Sequence, residues 1–306
     1  MDKNKMLDKI AEFYSNGGNI MKYLRDNSNS GDSNSLEDIM ISYDFQAGSY
    51  TKKYYENPEI YLNETREQAD IIDKLDGHKH SLFEAGMGEG QVLVSLMSQL
   101  HNRPEKWGGA DISWSRVKAA QKFCSEHGLE GVGNSCVMGD MFHLPLADNS
   151  VDIVYTNHAM EPNTNHEKEL LMELYRVARE YLVLNEPAYE LANDEQRNRM
   201  EKMGYIKNLY KSAKELGYDV IEWKLADYSA NPMNPTGIMV IRKNIDNKIM
   251  QVSDMDFSCP VTHSPLEKIG NMYYSEKAFL GYPILDGVPG LLKEYAVVAT
   301  HLKDFV

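Results

Sequence analysis

Glu84 is followed within six residues by Gly86, Gly88 and Gly90, in the stretch Glu84-Ala85-Gly86-Met87-Gly88-Glu89-Gly90. Glycine at alternate positions bares the backbone and lets another molecule come close to it. The acid at the edge selects what approaches: Glu84 repels a pyrophosphate and pairs with a cationic amine. Two further acids close the next two apolar runs. Asp111 ends "KWGGAD", where a ribose diol can donate two hydrogen bonds to it, and Asp140 ends "GNSCVMGD". Met141 comes directly after Asp140, so an acid and a soft apolar side chain stand together, suited to the edge and face of an adenine ring. Three successive acids of this kind describe a ligand with an amino group, a ribose and an adenine, and without phosphates.

Two competing phosphate-binding patterns fail on register. A dinucleotide fingerprint needs a glycine at position 91, which is Gln91, and a P-loop needs a following G-K-[ST] that is missing. The ligand described is S-adenosylmethionine. At this point Ser81 to about Lys243 resembles the class I S-adenosylmethionine-dependent methyltransferases, in the small-molecule group that includes the ubiquinone and menaquinone enzymes. The resemblance is carried by "EAGMGEG", by "GADIS" and by the run from Gly139 to Asp152, which matches G-D-x-x-x-L-P-x-x-D-x-S-x-D at every specified letter. It implies that Glu84 and Gly86, Gly88 and Gly90 face the methionine part of the cofactor. Asp111 and the adjoining Ile112 would face the ribose side, Asp140 and Met141 the adenine, and Asn157 the amino-acid part or sulfonium. "YDFQAGSY" is similar to the family's N-terminal gate, which makes Tyr50 the expected closing tyrosine, with Tyr43 in reserve.

Methyl transfer from a sulfonium is an in-line displacement, so the protein mainly aligns the partners and excludes water. A general base is needed only for an acceptor that carries a proton at the working pH. Candidates should follow the fourth and fifth strands. "NHAMEPN" offers His158 and Glu161, and "NEP" offers Glu186. His158 titrates in the range needed to take a hydroxyl proton. No metal-ligand spacing is present, and no metal is expected.

The elements that position these residues alternate. "HSLFEAG", "KWGGADIS", "GNSCVMGD", "SVDIVYTNHA" and "EYLVLNEP" read as five strands, with helices between them, and a helix is expected from about Asp194 to Leu216. "YDVIEWKLADY" and "GIMVIRKN" follow as a hairpin. The expected fold is therefore α/β, a Rossmann-like, mostly parallel class I methyltransferase sheet whose last strand is antiparallel. Upstream lies a helical cap: an amphipathic stretch over 1–25 broken at Asn16-Gly17-Gly18, a polar loop over Arg25 to Asp38, then a tyrosine-rich segment ending in a helix with Ala69, Ile72 and Leu75 on one face.

The pattern stops near Asp246, and a small β-rich unit is expected beyond it. "CPVTHSPLEK" and "GYPILDGVPGLL" resemble the small zinc-ribbon-like activator proteins that partner methyltransferases acting on tRNA and translation factors. The matching letters are Cys259-Pro260, Pro265-Leu266, Tyr282-Pro283-Ile284 and Asp286-Gly287-Val288-Pro289. Zinc-binding members use several cysteines, whereas Thr262 and Ser275 stand near where further thiols are expected. A metal-free unit follows, able to extend a sheet edge or cap the pocket rim. The division is 1–75 for the cap, 76–245 for the cofactor-binding domain and 246–306 for the activator-like unit.

Composition narrows the partners. Forty-six acids against 32 Lys and Arg give a net charge of −14, which argues against a nucleic-acid substrate. No apolar run approaches the roughly 18 residues of a membrane span, and the N-terminus lacks a secretory apolar region. Cys124, Cys136 and Cys259 encode no disulfide framework, consistent with a cytoplasmic protein. The quinone-type relatives carry a glycine-rich turn before the fifth strand that "RVAREYLVLNEPAYE" lacks, which points away from a quinone. The expectation is methyl transfer to a small polar metabolite, a sugar or sugar-nucleotide hydroxyl or amine first. The alternatives are a protein or tRNA methyltransferase with its activator fused on, and a cofactor-binding regulator without catalysis. Oligomeric state is not legible.

Overall fold

The computed structural model describes residues 3–27, 35–129, 135–243 and 255–305. The polar loop expected after Arg25 and the boundary expected near Asp246 fall largely outside these residues. Among them, the helical cap comprises α1 (Lys3–Ser15), α2 (Ile20–Asn27), α3 (Leu36–Phe45), α4 (Ser49–Glu56) and α5 (Glu59–Lys74). The alternating region follows as β1 (Ser81–Ala85), α6 (Gln91–Gln99), β2 (Lys106–Asp111), α7 (Trp114–Glu126), β3 (Cys136–Met138), β4 (Val151–Asn157), α8 (Glu167–Val177) and β5 (Ala178–Pro187). Then come α9 (Asp194–Met203), α10 (Leu209–Glu215), β6 (Asp219–Leu225) and β7 (Thr236–Arg242).

These strands form one sheet in the order β3-β2-β1-β4-β5-β7-β6. β1 pairs in parallel with both β2 and β4, and β7 runs antiparallel between β5 and β6. The order therefore reverses between β1 and β4, which opens a crevice at their carboxyl ends. Near-continuous apolar strands are what a sheet covered on both faces requires. Leu82, Ile153, Val183 and Val240 enter the core beneath α5, α6 and α7, while Phe83, Val154, Leu182 and Ile241 enter the one beneath α8 and α10.

The sequence motif that ends at Asp152 also has a purely architectural member. Asp152 is fully buried and accepts from the N–H groups of His80 and Ser81 at 2.8 and 3.1 Å and from Nε of Arg179 at 2.7 Å. It thereby fixes the entry of β1 against β4. The single helix expected from Asp194 to Leu216 is two. Gly204 ends α9 in the left-handed conformation (φ 73°), and Tyr205 N–H closes back on Met200 O at 3.0 Å. A side chain is strained in that conformation and glycine is not, so the chain turns there.

The C-terminal strands β8 (Glu267–Ile269), β9 (Met272–Ser275), β10 (Leu280–Leu285), β11 (Val288–Pro289) and β12 (Val297–Val298) form a separate antiparallel sheet. Its packing is not separate. Gly290 bridges Met138 in parallel, Leu291 N–H donates to Met138 O at 3.0 Å, and Trp114 Nε1 donates to Leu285 O at 3.2 Å. Val288 and Leu292 join the core under α7, and Cys259, Tyr282 and Leu291 join the other. The edge of the main sheet at β3 is thus covered. Where thiols were expected, Ser264 Oγ links Thr262 Oγ1 at 2.8 Å to Ser275 Oγ at 3.1 Å, and Cys259 Sγ lies 3.2 Å from the Tyr282 hydroxyl.

Candidate cofactor and acceptor site

A cavity of about 330 Å³ occupies the crevice at the strand-order reversal. Its floor consists of Glu84, Gly86 and Gly88 at the end of β1 and just past it, Asp111 and Ile112 likewise at β2, Asp140 and Met141 after β3, and Asn157 with His158 at the end of β4. Tyr43 of α3, Tyr50 of α4 and Glu64 of α5 cover it from the cap, and Glu161 and Asn234 close its far side. Gly90 and Glu186 do not line it.

The three glycines divide their work. At Gly86 (φ 81°) a Cβ would lie 2.3 Å from Ala159 Cβ, so the bare backbone is needed by the loop after β4. At Gly88 (φ 55°) a Cβ would meet nothing within 4 Å, so open space lies over this residue. At Gly90 (φ 81°) a Cβ would come within 2.9 Å of Cys124 Sγ, so this glycine admits α7 rather than a ligand.

Glu84 is buried, and its Oε2 has no hydrogen-bond partner. Burial first, then the nearby Cys124, Asp111 and Glu64, raises its pKa well above the usual carboxylate range. An uncompensated buried carboxylate is costly, and an ammonium group supplies what it lacks. Asp111 is raised by burial, against which Arg116 and the N–H groups of Ser113 and Gly88 act. Those N–H groups lie 2.9 Å from Oδ1 and 3.0 Å from Oδ2, which leaves further lone pairs for a diol. Asp140 is likewise raised by burial and opposed by the Phe142 N–H at 2.9 Å. The donor set thus fits an amino group, a ribose and an adenine.

At the other end His158, in the left-handed region (φ 50°), has Nδ1 2.5 Å from Glu161 Oε1 and Nε2 2.8 Å from Thr236 Oγ1. Burial alone would lower its pKa, but the hydrogen bond and charge of Glu161, with Glu64 and Glu186, outweigh it and push the value up to about 9. Both ring nitrogens are engaged, and the imidazole is cationic at neutral pH. Asn234 Nδ2 also donates to Glu161 Oε1 at 2.8 Å, while its own Oδ1 is buried without a partner. Glu186 is turned away from the cavity. Its carboxylate accepts from the N–H groups of Ala159 and Met160, each at 3.1 Å, and holds the loop after β4; burial raises its pKa to about 7.

Several residues lining the cavity or backing those that do escaped the sequence reading. Glu64 and Gln68 sit four residues apart on α5; Glu64 Oε1 accepts from Asn157 Nδ2 at 3.4 Å, and Gln68 Nε2 donates to Asn157 Oδ1 at 3.2 Å. Tyr155 O–H donates to Gln68 Oε1. That i, i+4 polar pair beside the buried Ala69 and Ile72 was the available signal. Arg116 lies under two cap tyrosines, its guanidinium carbon 4.2 Å from the Tyr43 ring centre and 5.0 Å from that of Tyr50. Asn234 and Thr236, distant in sequence, carried no signal at all. Among the described residues no group of His, Cys, Asp and Glu could hold a metal ion, and no helix is long and apolar enough to cross a membrane.

Residues 83–181, from β1 into β5, match the family model described as a methyltransferase domain. The chain thus carries a methyltransferase domain, and the donor set lining its cavity fits S-adenosylmethionine as the methyl donor. The fold recurs in a chain from the complex between the Haloferax volcanii Trm112 methyltransferase activator and its companion protein, at 15% identity and a TM-score of 0.50, covering 65% of this chain and 96% of that one. The chain is also similar to magnesium protoporphyrin IX methyltransferase of Synechocystis PCC 6803 with bound S-adenosylhomocysteine, at 15% identity and a TM-score of 0.48, covering 67% and 98%. An S-adenosylmethionine-dependent methyltransferase of Aquifex aeolicus matches at 18% identity and a TM-score of 0.44, covering 63% and 97%. No curated protein matches the sequence.

Proposed function

We propose that this methyltransferase acts on a small polar acceptor whose reacting group is an amine or a hydroxyl. The observation that carries the reading is an excess of hydrogen-bond acceptors. Of the cavity-lining side chains, Glu84 Oε2, Gln91 Oε1 and Asn234 Oδ1 are buried acceptors without partners, against one such donor, Arg116 Nη2. Ligands that satisfy this cavity must bring N–H or O–H groups. Glu84 and Gln91 stand at the cofactor end. Asn234 stands beside Glu161 and His158, so the acceptor itself brings donors there.

S-adenosylmethionine, when bound, supplies a methyl group already activated on a sulfonium. The protein's part is to align and to move a proton. Glu84 would pair with the ammonium group, the open space over Gly88, beside Gly86, would admit the methionine part, and Asp111 with Ile112 would flank the ribose. Asp140 and Met141 receive the adenine, Asn157 borders the sulfonium, and Tyr50 with Tyr43 closes the cap. His158 acts as a fixed cation that orients Glu161 rather than as the base. Glu161, or Glu64 across the cavity, takes the proton an amine or hydroxyl loses as its lone pair forms the new bond to carbon.

The test is conversion of S-adenosylmethionine to S-adenosylhomocysteine with matched acceptor pairs, such as an amino sugar, the parent sugar and its permethylated form. Turnover with the first or second and none with the third is expected. Turnover confined to an acceptor without N–H or O–H groups would defeat the reading.

A further inference from the structure

The cap and the cofactor loops exchange carboxylates. Helix α4, which carries Tyr50, has glycine at its N-cap, and Gly48 supplies no side-chain acceptor for the first-turn N–H groups. Those groups are taken instead by Glu89, a fully buried residue of the glycine loop. Its Oε1 lies 2.9 Å from Gly48 N and 3.4 Å from Tyr50 N, and its Oε2 lies 2.7 Å from Thr51 N. A carboxylate facing a helix N-terminus is stabilised by both the free N–H groups and the helix dipole.

The reverse contact is made by the cap. Asp44, in α3 next to Tyr43, accepts from Ser113 Oγ at 2.7 Å and from Ser115 N and Oγ at 3.0 Å each, at the first turn of α7 directly after Asp111. Arg116 Nε donates to Tyr43 O at 3.2 Å across the same seam. The loops after β1 and β2 therefore each hold one cap helix, α4 and α3 respectively, and each of those helices brings one tyrosine to the cavity.

We propose that Glu89 is a positioning residue that sets Tyr50 over the cofactor by capping α4, with Asp44 doing the same for Tyr43 through α7. Formation of the glycine loop and closure of the cap are then one event. A loop arranged around the cofactor presents Glu89 to α4, and release of the cofactor loosens the cap. The inference deepens the cofactor assignment and rests on it.

The experiment is stopped-flow measurement of S-adenosylmethionine dissociation from the full chain, for the wild type, Glu89→Gln, Tyr50→Ala and the double variant. Hydrogen exchange at residues 48–51 is followed with and without the cofactor. Glu89→Gln should dissociate the cofactor about tenfold faster, the scale of one charge-assisted hydrogen bond. It should also remove the protection of residues 48–51 that the cofactor confers on the wild type, while residues 91–99 of α6 stay protected. The double variant should resemble the faster single variant, because both changes break the same closure. Dissociation within twofold of wild type, or effects that multiply to about a hundredfold in the double variant, would overturn the proposal. Asp44→Asn leaves the glycine loop intact and reports on the other half of the joint should Glu89→Gln not fold; an unchanged rate there counts against the proposal equally. A wild type that binds no cofactor would remove both the proposal and the assignment beneath it, whereas normal wild-type binding with an unaltered variant removes the role of Glu89 alone.

Discussion

His158 and Glu161 lie three residues apart in the loop after β4 and meet at 2.5 Å, with the other imidazole nitrogen held by Thr236 at 2.8 Å. The histidine that chemistry first suggests as a base is therefore a cation fixed between two acceptors. Its pKa of about 9 is a consequence of carboxylates outweighing burial. The proposed proton acceptor is therefore a neighbouring carboxylate, Glu161 or Glu64.

This assignment fixes the sign of a pH effect. The folded pKa of His158 lies above the unfolded value of about 6.5, so its contribution is complete below pH 6.5 and is lost as the pH rises through 9. Glu186, raised to about 7, adds a loss that begins above its unfolded value of about 4.3 and is complete once the pH has passed 7. Stability should fall from pH 6.5 to 9.5 by about 3 kcal/mol, read from denaturation curves, and His158→Gln should flatten most of that decline. An identical pH profile in the two proteins would return the imidazole to an ordinary titration.

Asp111 should contribute to cofactor affinity rather than to turnover. Asp111→Ala removes the diol's charged partner and the acceptor of Gly88 N–H, and calorimetric titration should show a loss of roughly 1.5–3 kcal/mol. Unchanged affinity in a folded variant would refute the ribose assignment.

Two glycines two residues apart should respond differently to alanine. Gly86→Ala drives a Cβ to within 2.3 Å of Ala159 Cβ and should lower stability by about 3 kcal/mol. Gly88→Ala meets open space and carries only the strain of φ 55°, about 1 kcal/mol, so its main effect should be on cofactor affinity. Thermal denaturation and titration of both variants separate the two outcomes.

Arg179 should behave as a structural residue despite its position within a catalytic domain. Arg179→Ala leaves Asp152 charged and fully buried with only two backbone donors, and should cost about 3–5 kcal/mol. Asp152→Asn in the same background should recover part of that loss, since a neutral amide needs no counter-ion. Failure to recover any would show that packing of the guanidinium, not its charge, holds β1 to β4.

What the chain's order of residues determined is the part built from local and short-range signals. Period, strand-ending acids and the motif from Gly139 to Asp152 were enough for the sheet, for the cofactor and for Glu84, Asp111 and Asp140 at one sheet edge, because in a parallel sheet every strand ends on the same side. Tertiary structure decided the rest. Gly90 and Gly86 look equivalent in sequence, yet one is required by Cys124 of α7 and the other by Ala159 of the loop after β4. Glu186 is chemically as able a base as Glu161, but the N–H groups of Ala159 and Met160 take its oxygens. Glu64, Asn234 and Thr236 reach the acceptor end from elements up to 172 residues apart, Glu64 to Thr236. A buried polar group's role depends on which partners long-range packing brings within hydrogen-bonding distance, and no local pattern encodes that.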